Sequence, residues 1–146
     1  MTHFRFSAFA LLLFVTACSH RAPVVTVEVI DTSMSITLRA ECAARSAVGN
    51  QISRMGRGDR LVLIPITGDA QNDAGGRVLR LTAPTEREPY DTDLRRFQSE
   101  AQKQFAAWAA SLDPHQTRTA ILGTLDAARQ EFSAVPKEGI SLRRSL

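Results

Sequence analysis

The chain has 146 residues, a formal net charge of +3 and 23% charged residues. This length is that of one ordinary domain. The basic residues are scattered along the chain, which argues against a nucleic-acid-binding surface.

The first 17 residues have the pattern of an export signal. A basic residue, Arg5, precedes an apolar run over residues 6–15, and small residues follow it. The run has about half of the 20 or so residues that a transmembrane helix needs, so a cleaved leader is favoured over a permanent membrane span. An ordinary signal peptide that is cut near Ala17 is one interpretation.

Residues 15–18, with the sequence VTAC, resemble the lipobox of bacterial lipoproteins. The resemblance implies that Cys18 becomes a lipidated N-terminus, that residues 18–23 form a tether, and that residues 24–146 form a domain facing the periplasm. Ser19 after the cysteine favours the outer membrane by the same resemblance. With Cys18 acylated, Cys42 is the only remaining thiol, so no internal disulfide can form.

Beyond the tether, hydrophobic patterns predict alternating strands and helices. We predict strands over residues 24–30, 61–67 and 77–83, and helices over residues 36–55, 92–111 and 119–132, with Asp91 or Thr92 as the cap of the second helix. The branched residues of the first strand are typical of a strand covered on both faces. The first strand–helix–strand unit implies a parallel pair, and the short loop that follows predicts an antiparallel third strand at the sheet edge. The sequence therefore predicts an α/β domain.

Each predicted helix carries an apolar face at helical spacing. The residues on these faces are Ile36, Ala40, Ala43, Ala44, Ala47, Val48, Ile52 and Met55 in the first helix, Leu94, Phe97, Ala101, Phe105, Trp108 and Leu112 in the second, and Ile121, Leu125, Ala128 and Phe132 in the third. Core packing explains the aromatic side chains of the second helix without a ligand.

Oxygen-bearing side chains follow the first strand at alternate positions: Asp31, Ser33 and Ser35. In an open α/β sheet the carboxyl ends of the strands border a shared crevice. One carboxylate and two hydroxyls suit a hard divalent ion such as Mg2+ or Mn2+, whereas soft metals prefer Cys or His. The alternative interpretation is that Asp31 and Ser33 cap the first helix.

The stretch DTSMS, residues 31–35, resembles the DxSxS motif of von Willebrand factor type A domains, which use it in a metal-ion-dependent adhesion site. In that family a threonine on a second loop completes the ligands, and RTAILGTL, residues 118–125, is similar, with Thr119 at that position. Arg118 and Ala120 replace the usual glycine and aspartate. The resemblance implies a doubly wound, mostly parallel sheet flanked by helices, with a metal site formed by Asp31, Ser33, Ser35 and Thr119.

The C-terminal part of the chain departs from the family pattern. In the family a further core strand follows the last helix, and an acid after that strand supports the metal. Here the sequence continues as SAVPKEGISLRRSL, in which only residues 140–142 suggest apolar continuity. The resemblance therefore implies a partial domain over residues 24–146, incomplete at its C-terminus, with one edge of the first strand uncovered.

The expected function is that of a membrane-anchored, metal-dependent protein-binding module without catalytic residues. Its Mg2+ or Mn2+ ion would keep an open position for a carboxylate of a partner protein. One alternative is a truncated lipoprotein with no working metal site. Another is a metal-dependent phosphoryl-transfer enzyme, which is disfavoured because such enzymes usually place a second acid where this chain has Ser33.

Overall fold

A computed structural model describes residues 21–31, 37–66, 77–86, 89–112, 120–134 and 141–142. The strands are β1 (Val24–Asp31), β2 (Arg60–Ile66), β3 (Leu79–Thr82) and β4 (Ser141–Leu142). The helices are α1 (Leu38–Arg54), α2 (Thr92–Ser111) and α3 (Ile121–Ser133), and a 3-10 turn (Pro89–Asp91) precedes α2.

The strands form one mixed sheet in the order β3-β2-β1-β4. β1 and β2 are parallel, with Val25 opposite Arg60 and Asp31 opposite Ile66. β3 is antiparallel to β2 at the sheet edge, which confirms both predictions for the third strand. In the described ranges β4 pairs in parallel with the first two residues of β1.

β2 lies at the centre of the domain because its side chains enter two cores on opposite faces of the sheet. On one face Leu61 and Leu63 pack with α1, α2 and β3. On the other face Val62 and Ile64 pack with Val27 of β1 and with α3. All four β2 side chains are buried, as expected for a strand between two helical layers. The predicted α/β class is confirmed at this level.

The apolar face of α2 is confirmed as core. Ala101, Phe105 and Ala109 are buried, and Trp108 packs beside them with its indole N–H donating to the carbonyl of Arg77. Trp108 is half-buried, and an indole N–H in such a setting usually finds a partner because an unsatisfied donor is costly.

The predicted apolar face of α1 is only half correct. Val48, Ile52 and Met55 are buried in the core, but the alanines of the first half of α1 are exposed. These alanines are Ala40, Ala43, Ala44 and Ala47. The described part of the chain places no element against them, so periodicity alone overestimated the burial of this helix.

The same correction applies to β1 and α3. β1 was predicted to be covered on both faces, but only Val25 and Val27 are buried, and Val29 is 37% exposed. In α3, Ala128 is buried and Thr124 joins it, whereas Ile121 and Leu125 are exposed. The physical reason is shared: among the described residues the two-residue β4 is the sole neighbour on the outer side of β1, so the described part of the chain offers the strand and α3 little to pack against there.

Asp91 precedes α2 as predicted, but its side chain does not cap the helix. Its backbone is left-handed (φ 52°, ψ 34°), and no capping hydrogen bond forms. The carboxylate instead accepts a hydrogen bond from Arg57 at 2.8 Å. The left-handed backbone departs from the extended conformation that capping residues usually adopt, and the carboxylate is held by Arg57 instead.

No helix in the described ranges combines the length and hydropathy that a membrane span would require.

Candidate metal site at the carboxyl end of β1

Asp31 is the last residue of β1 and lies exposed at the carboxyl edge of the sheet. Its register partner, Ile66, is the last residue of β2. Two parallel strands therefore end together at this edge, which is where α/β sheets place their ligand-binding loops.

The N-cap of α1 is Thr37, so Asp31 is not the cap of this helix, and Ser33 lies outside the described residues. The Thr37 hydroxyl accepts a hydrogen bond from the backbone N–H of Ala40 at 3.3 Å, and its carbonyl accepts from Glu41 at 3.0 Å. One of the otherwise unpaired donors of the first turn is thereby satisfied. Capping of α1 therefore does not explain why β1 ends in the acidic residue Asp31.

The start of α3 lies at the same edge of the sheet as Asp31. Near the end of the helix, Glu131 accepts a hydrogen bond at 3.1 Å from Arg60, the first residue of β2. One turn earlier Ala128 packs on the middle of the sheet, against Val27 and Val62. The helix therefore runs antiparallel to β1 and β2, and its first turn faces their carboxyl ends.

The first turn of α3 lacks a side-chain cap, since its N-cap residue is Ala120. Thr124 is 2% exposed, and its hydroxyl donates to the Ala120 carbonyl at 3.1 Å. The N–H groups at the start of a helix carry a partial positive charge that favours anions. Among the described residues no side chain caps this helix start, which leaves its N–H groups compatible with nearby oxygen atoms.

Three of the four predicted metal ligands, Ser33, Ser35 and Thr119, lie outside the described residues. The same holds for Cys18, the predicted lipidation site. Within the described ranges, no three or more acidic, histidine or cysteine side chains are grouped so that they could hold a metal ion. The predicted site requires one carboxylate and three hydroxyls, and of these the structure describes the carboxylate of Asp31.

Sequence reasoning missed a buried acid at the opposite end of β1. Asp59 is 6% exposed and accepts hydrogen bonds from the backbone N–H of Val24 at 2.8 Å and of Gly56 at 2.7 Å. Arg21, just before the strand, also donates to this carboxylate. Asp59 thus fixes the start of β1 to the loop between α1 and β2. An acid within the glycine-rich stretch GRGDR was the only signal for it in the sequence.

Arg57 joins the same loop to the start of α2. Its guanidinium donates to both carboxylate oxygens of Asp93, at 2.6 and 2.7 Å, and to Asp91. The hydrogen bonds from Arg57 favour the ionised acid and lower the pKa of Asp93 to about 2. These contacts lie on the far side of the sheet from the end of β1, so they serve the fold and not the metal site.

Glu28 of β1 is a half-buried acid on the face of the sheet that α1 covers. Burial raises the pKa of its carboxyl, and a hydrogen bond with Gln51 of α1 opposes this effect in part. Asp31 is three residues further along the same strand, so the two acids point to opposite faces and cannot share an ion through their side chains.

No protein-family model matches the chain, and the searches of curated proteins and of solved structures also find no significant match.

Proposed function

We propose that this protein is a membrane-anchored, divalent-metal-dependent protein-binding module whose metal site includes Asp31, Ser33, Ser35 and Thr119. The single observation that carries the proposal is that β1, ending in Asp31, and α3, beginning after Ala120, meet the same edge of the sheet. The two segments that resemble the adhesion-site motifs therefore adjoin described elements at one end of the fold.

The order of the strands supports the proposal. In the sheet, β1 lies between β2 and β4. β2 is the next strand along the chain, whereas β4 comes much later in the sequence. Such a reversal of strand order opens a crevice beyond the carboxyl ends of the strands, where open α/β sheets bind ligands. Asp31 ends the strand at this position. With helices on both faces, the arrangement is that expected for the first part of a doubly wound domain.

The chemistry of the proposed ligands fits Mg2+ or Mn2+, which prefer oxygen and retain open or water-filled positions. A bound ion of this kind would supply the positive charge that attracts a carboxylate of the partner protein. Asp31 would hold the ion, while the hydroxyls at positions 33, 35 and 119 would complete a weakly charged ligand set. Because this set carries one negative charge, most of the ion's charge would remain available to the partner.

We also propose that this module is anchored at the cell envelope and faces the periplasm, as the N-terminal resemblance to a lipobox implies. Arg21, within the predicted tether, donates a hydrogen bond to Asp59, and this contact anchors the chain beside the start of β1. The lipid would then lie toward the amino ends of the strands and the metal site at their carboxyl ends. This polarity would point the binding edge away from the anchor.

Mn2+ binding to Asp31→Ala, compared with the parent, tests the metal site. We expect at least about tenfold weaker Mn2+ affinity by titration calorimetry or electron paramagnetic resonance, because loss of the carboxylate removes the only charged ligand. Asp126→Ala is the matched control, since Asp126 is an exposed acid of α3 that is already bonded to Arg129 and Gln130. Equal affinities in the parent and Asp31→Ala would exclude the site.

Two further measurements separate this function from its alternatives. A phosphoryl-transfer enzyme would release phosphate from an activated aryl phosphate in the presence of Mg2+, whereas a binding module would show no turnover. A chain without a working fold would be digested rapidly by a protease whether Mn2+ was present or not, whereas a metal-binding domain should become more resistant when the ion is added.

A further inference from the structure

The amino ends of β1 and β2 meet the turn before α2 at one end of the molecule. Pro23 and Thr85 flank Gly58, since a Cβ at Gly58 would lie 2.9 Å from the proline side chain and 3.6 Å from the threonine. Arg57, beside this glycine, donates to the carboxylate of Asp91 in the turn. The exposed residues at this end are called the amino-end surface below: Arg21, Arg54, Thr85, Glu86, Tyr90 and Arg95.

The proposed lipid anchor lies next to the amino-end surface. Arg21 is held beside the start of β1 by its hydrogen bond to Asp59, and Cys18 precedes it by three residues. An extended chain spans at most about 3.6 Å per residue, so a lipidated Cys18 lies within about 11 Å of Arg21. The polar layer of each bilayer leaflet is itself about 5–8 Å thick. A lipid at Cys18 therefore holds the amino-end surface beside the headgroups.

Tyr90 is a large aromatic residue of this surface that the fold leaves 88% exposed. Its backbone is left-handed (φ 63°, ψ 17°), which costs free energy in residues other than glycine. Arg57 holds the next residue, Asp91, and Arg95 donates to the Tyr90 carbonyl at 2.8 Å, so the turn is fixed from two sides. A tyrosine presented in this way suits the boundary between lipid and water, where its ring and its hydroxyl both find partners.

Positive charge predominates on the amino-end surface. Arg54 ends α1, Arg95 lies in the first turn of α2, and both are exposed. The acids Asp59 and Asp93 at this end are bound by arginines, and Glu86 is an exposed acid. Exposed arginines near a membrane are attracted to anionic lipid headgroups.

We infer that the amino-end surface lies against the phospholipid bilayer, with Tyr90 among the headgroups and Arg54 and Arg95 beside their phosphates. The inference rests on the proposed lipidation of Cys18. The domain would then hold one orientation on the membrane instead of turning freely on its tether. The carboxyl end of β1 would lie about 25 Å further out, which is the length of an eight-residue strand.

Fluorescence quenching by a lipid with a nitroxide on its headgroup measures which end of the domain faces the membrane. The lipidated full chain, in a Cys42→Ser background, carries a fluorophore on Thr85→Cys in vesicles of phosphatidylcholine and phosphatidylglycerol. The matched control carries it on Leu122→Cys, an 84% exposed position in the first turn of α3, at the carboxyl edge of the sheet. We expect quenching at least about threefold stronger at position 85, because the two ends of the sheet are about 25 Å apart.

Tyr90→Ser tests the contribution of the aromatic side chain. In the chain labelled at position 85, this change should lower the quenching by about half, because the ring no longer holds the surface at the headgroups. Leu38→Ser removes a 75% exposed leucine from the opposite end of the molecule and should leave the quenching unchanged. Vesicles of phosphatidylcholine alone should give weaker quenching, because the arginines lose their anionic partners. Circular dichroism confirms that each variant is folded.

The outcomes separate this inference from the proposed metal site. The series is repeated with EDTA, so failure of the metal site would leave the quenching unchanged. Mass spectrometry reports whether Cys18 is acylated, and an unacylated Cys18 would overturn the inference without bearing on metal binding. Equal quenching at positions 85 and 122, or no effect of Tyr90→Ser, would also overturn it. Equal quenching in the two kinds of vesicle would exclude the role given to the arginines.

Discussion

Replacement of Asp59 by alanine should remove a large part of the stability of the domain. The carboxylate is buried, and it joins the start of β1 to the loop that leads into β2. Alanine leaves the backbone N–H groups of Val24 and Gly56 without this acceptor. The substitution should therefore destabilise the amino ends of the parallel strands β1 and β2.

The magnitude follows from the two backbone hydrogen bonds, which measure 2.8 and 2.7 Å. A hydrogen bond to a charged group contributes about 1.5–3 kcal/mol, so Asp59→Ala should lower the free energy of unfolding by about 3–5 kcal/mol. The ion pair with Arg21 adds less than about 1 kcal/mol, because the Arg21 side chain is 64% exposed and screened by water. Asp59→Asn keeps one acceptor oxygen and should lose about half as much as alanine.

Urea unfolding followed by circular dichroism measures these differences. Small domains have total stabilities of about 5–15 kcal/mol, so the predicted loss is readily detected. Arg21→Ala serves as the comparison that removes the ion pair alone. If Asp59→Ala unfolded at the same urea concentration as the parent, the carboxylate could not be the link that fixes β1.

Three other variants test separate parts of the fold. Because Arg57 holds the pKa of Asp93 down at about 2, the parent should lose stability as the pH falls from about 4 to 2, and Arg57→Gln should lose most of that dependence in acid unfolding curves. Burial raises the pKa of Glu28, so the folded protein loses stability as the pH rises above the usual glutamate range and this carboxyl must ionise. The free energy of unfolding of Glu28→Gln, compared with that of the parent by urea unfolding, should therefore be more favourable at pH 7 than at pH 4. Gly58 has φ of +73°, and a Cβ there would meet a proline side chain at 2.9 Å, so Gly58→Ala should lower the melting temperature and the free energy of unfolding by about 1–3 kcal/mol. If a variant behaved like the parent in its assay, the corresponding contact would be contradicted.

Local patterns predicted the elements well because each depends on neighbours in sequence. The strand at residues 24–30 became β1, and the helix at residues 92–111 matches α2. The antiparallel edge position of β3 followed from the short connection before it. Periodicity failed for burial, as Ala40 and Leu125 show, because burial requires a partner surface that periodicity does not supply.

Part of the candidate site was also predictable from the sequence, and part was not. The DxSxS resemblance drew attention to Asp31, and its place at the carboxyl end of a parallel strand was predictable from hydrophobicity alone. That Thr37 rather than Asp31 caps α1 was not predictable, since several residues in this stretch have suitable side chains.

The amino-acid sequence alone determined which segments become strands and helices, because backbone preference and apolar spacing act over a few residues. Only the tertiary structure decided that Asp59 and Arg57 bind distant partners and that α3 begins at the edge where β1 ends. These features join residues that are more than 30 positions apart. Distant pairs of this kind come together only when the whole chain has packed.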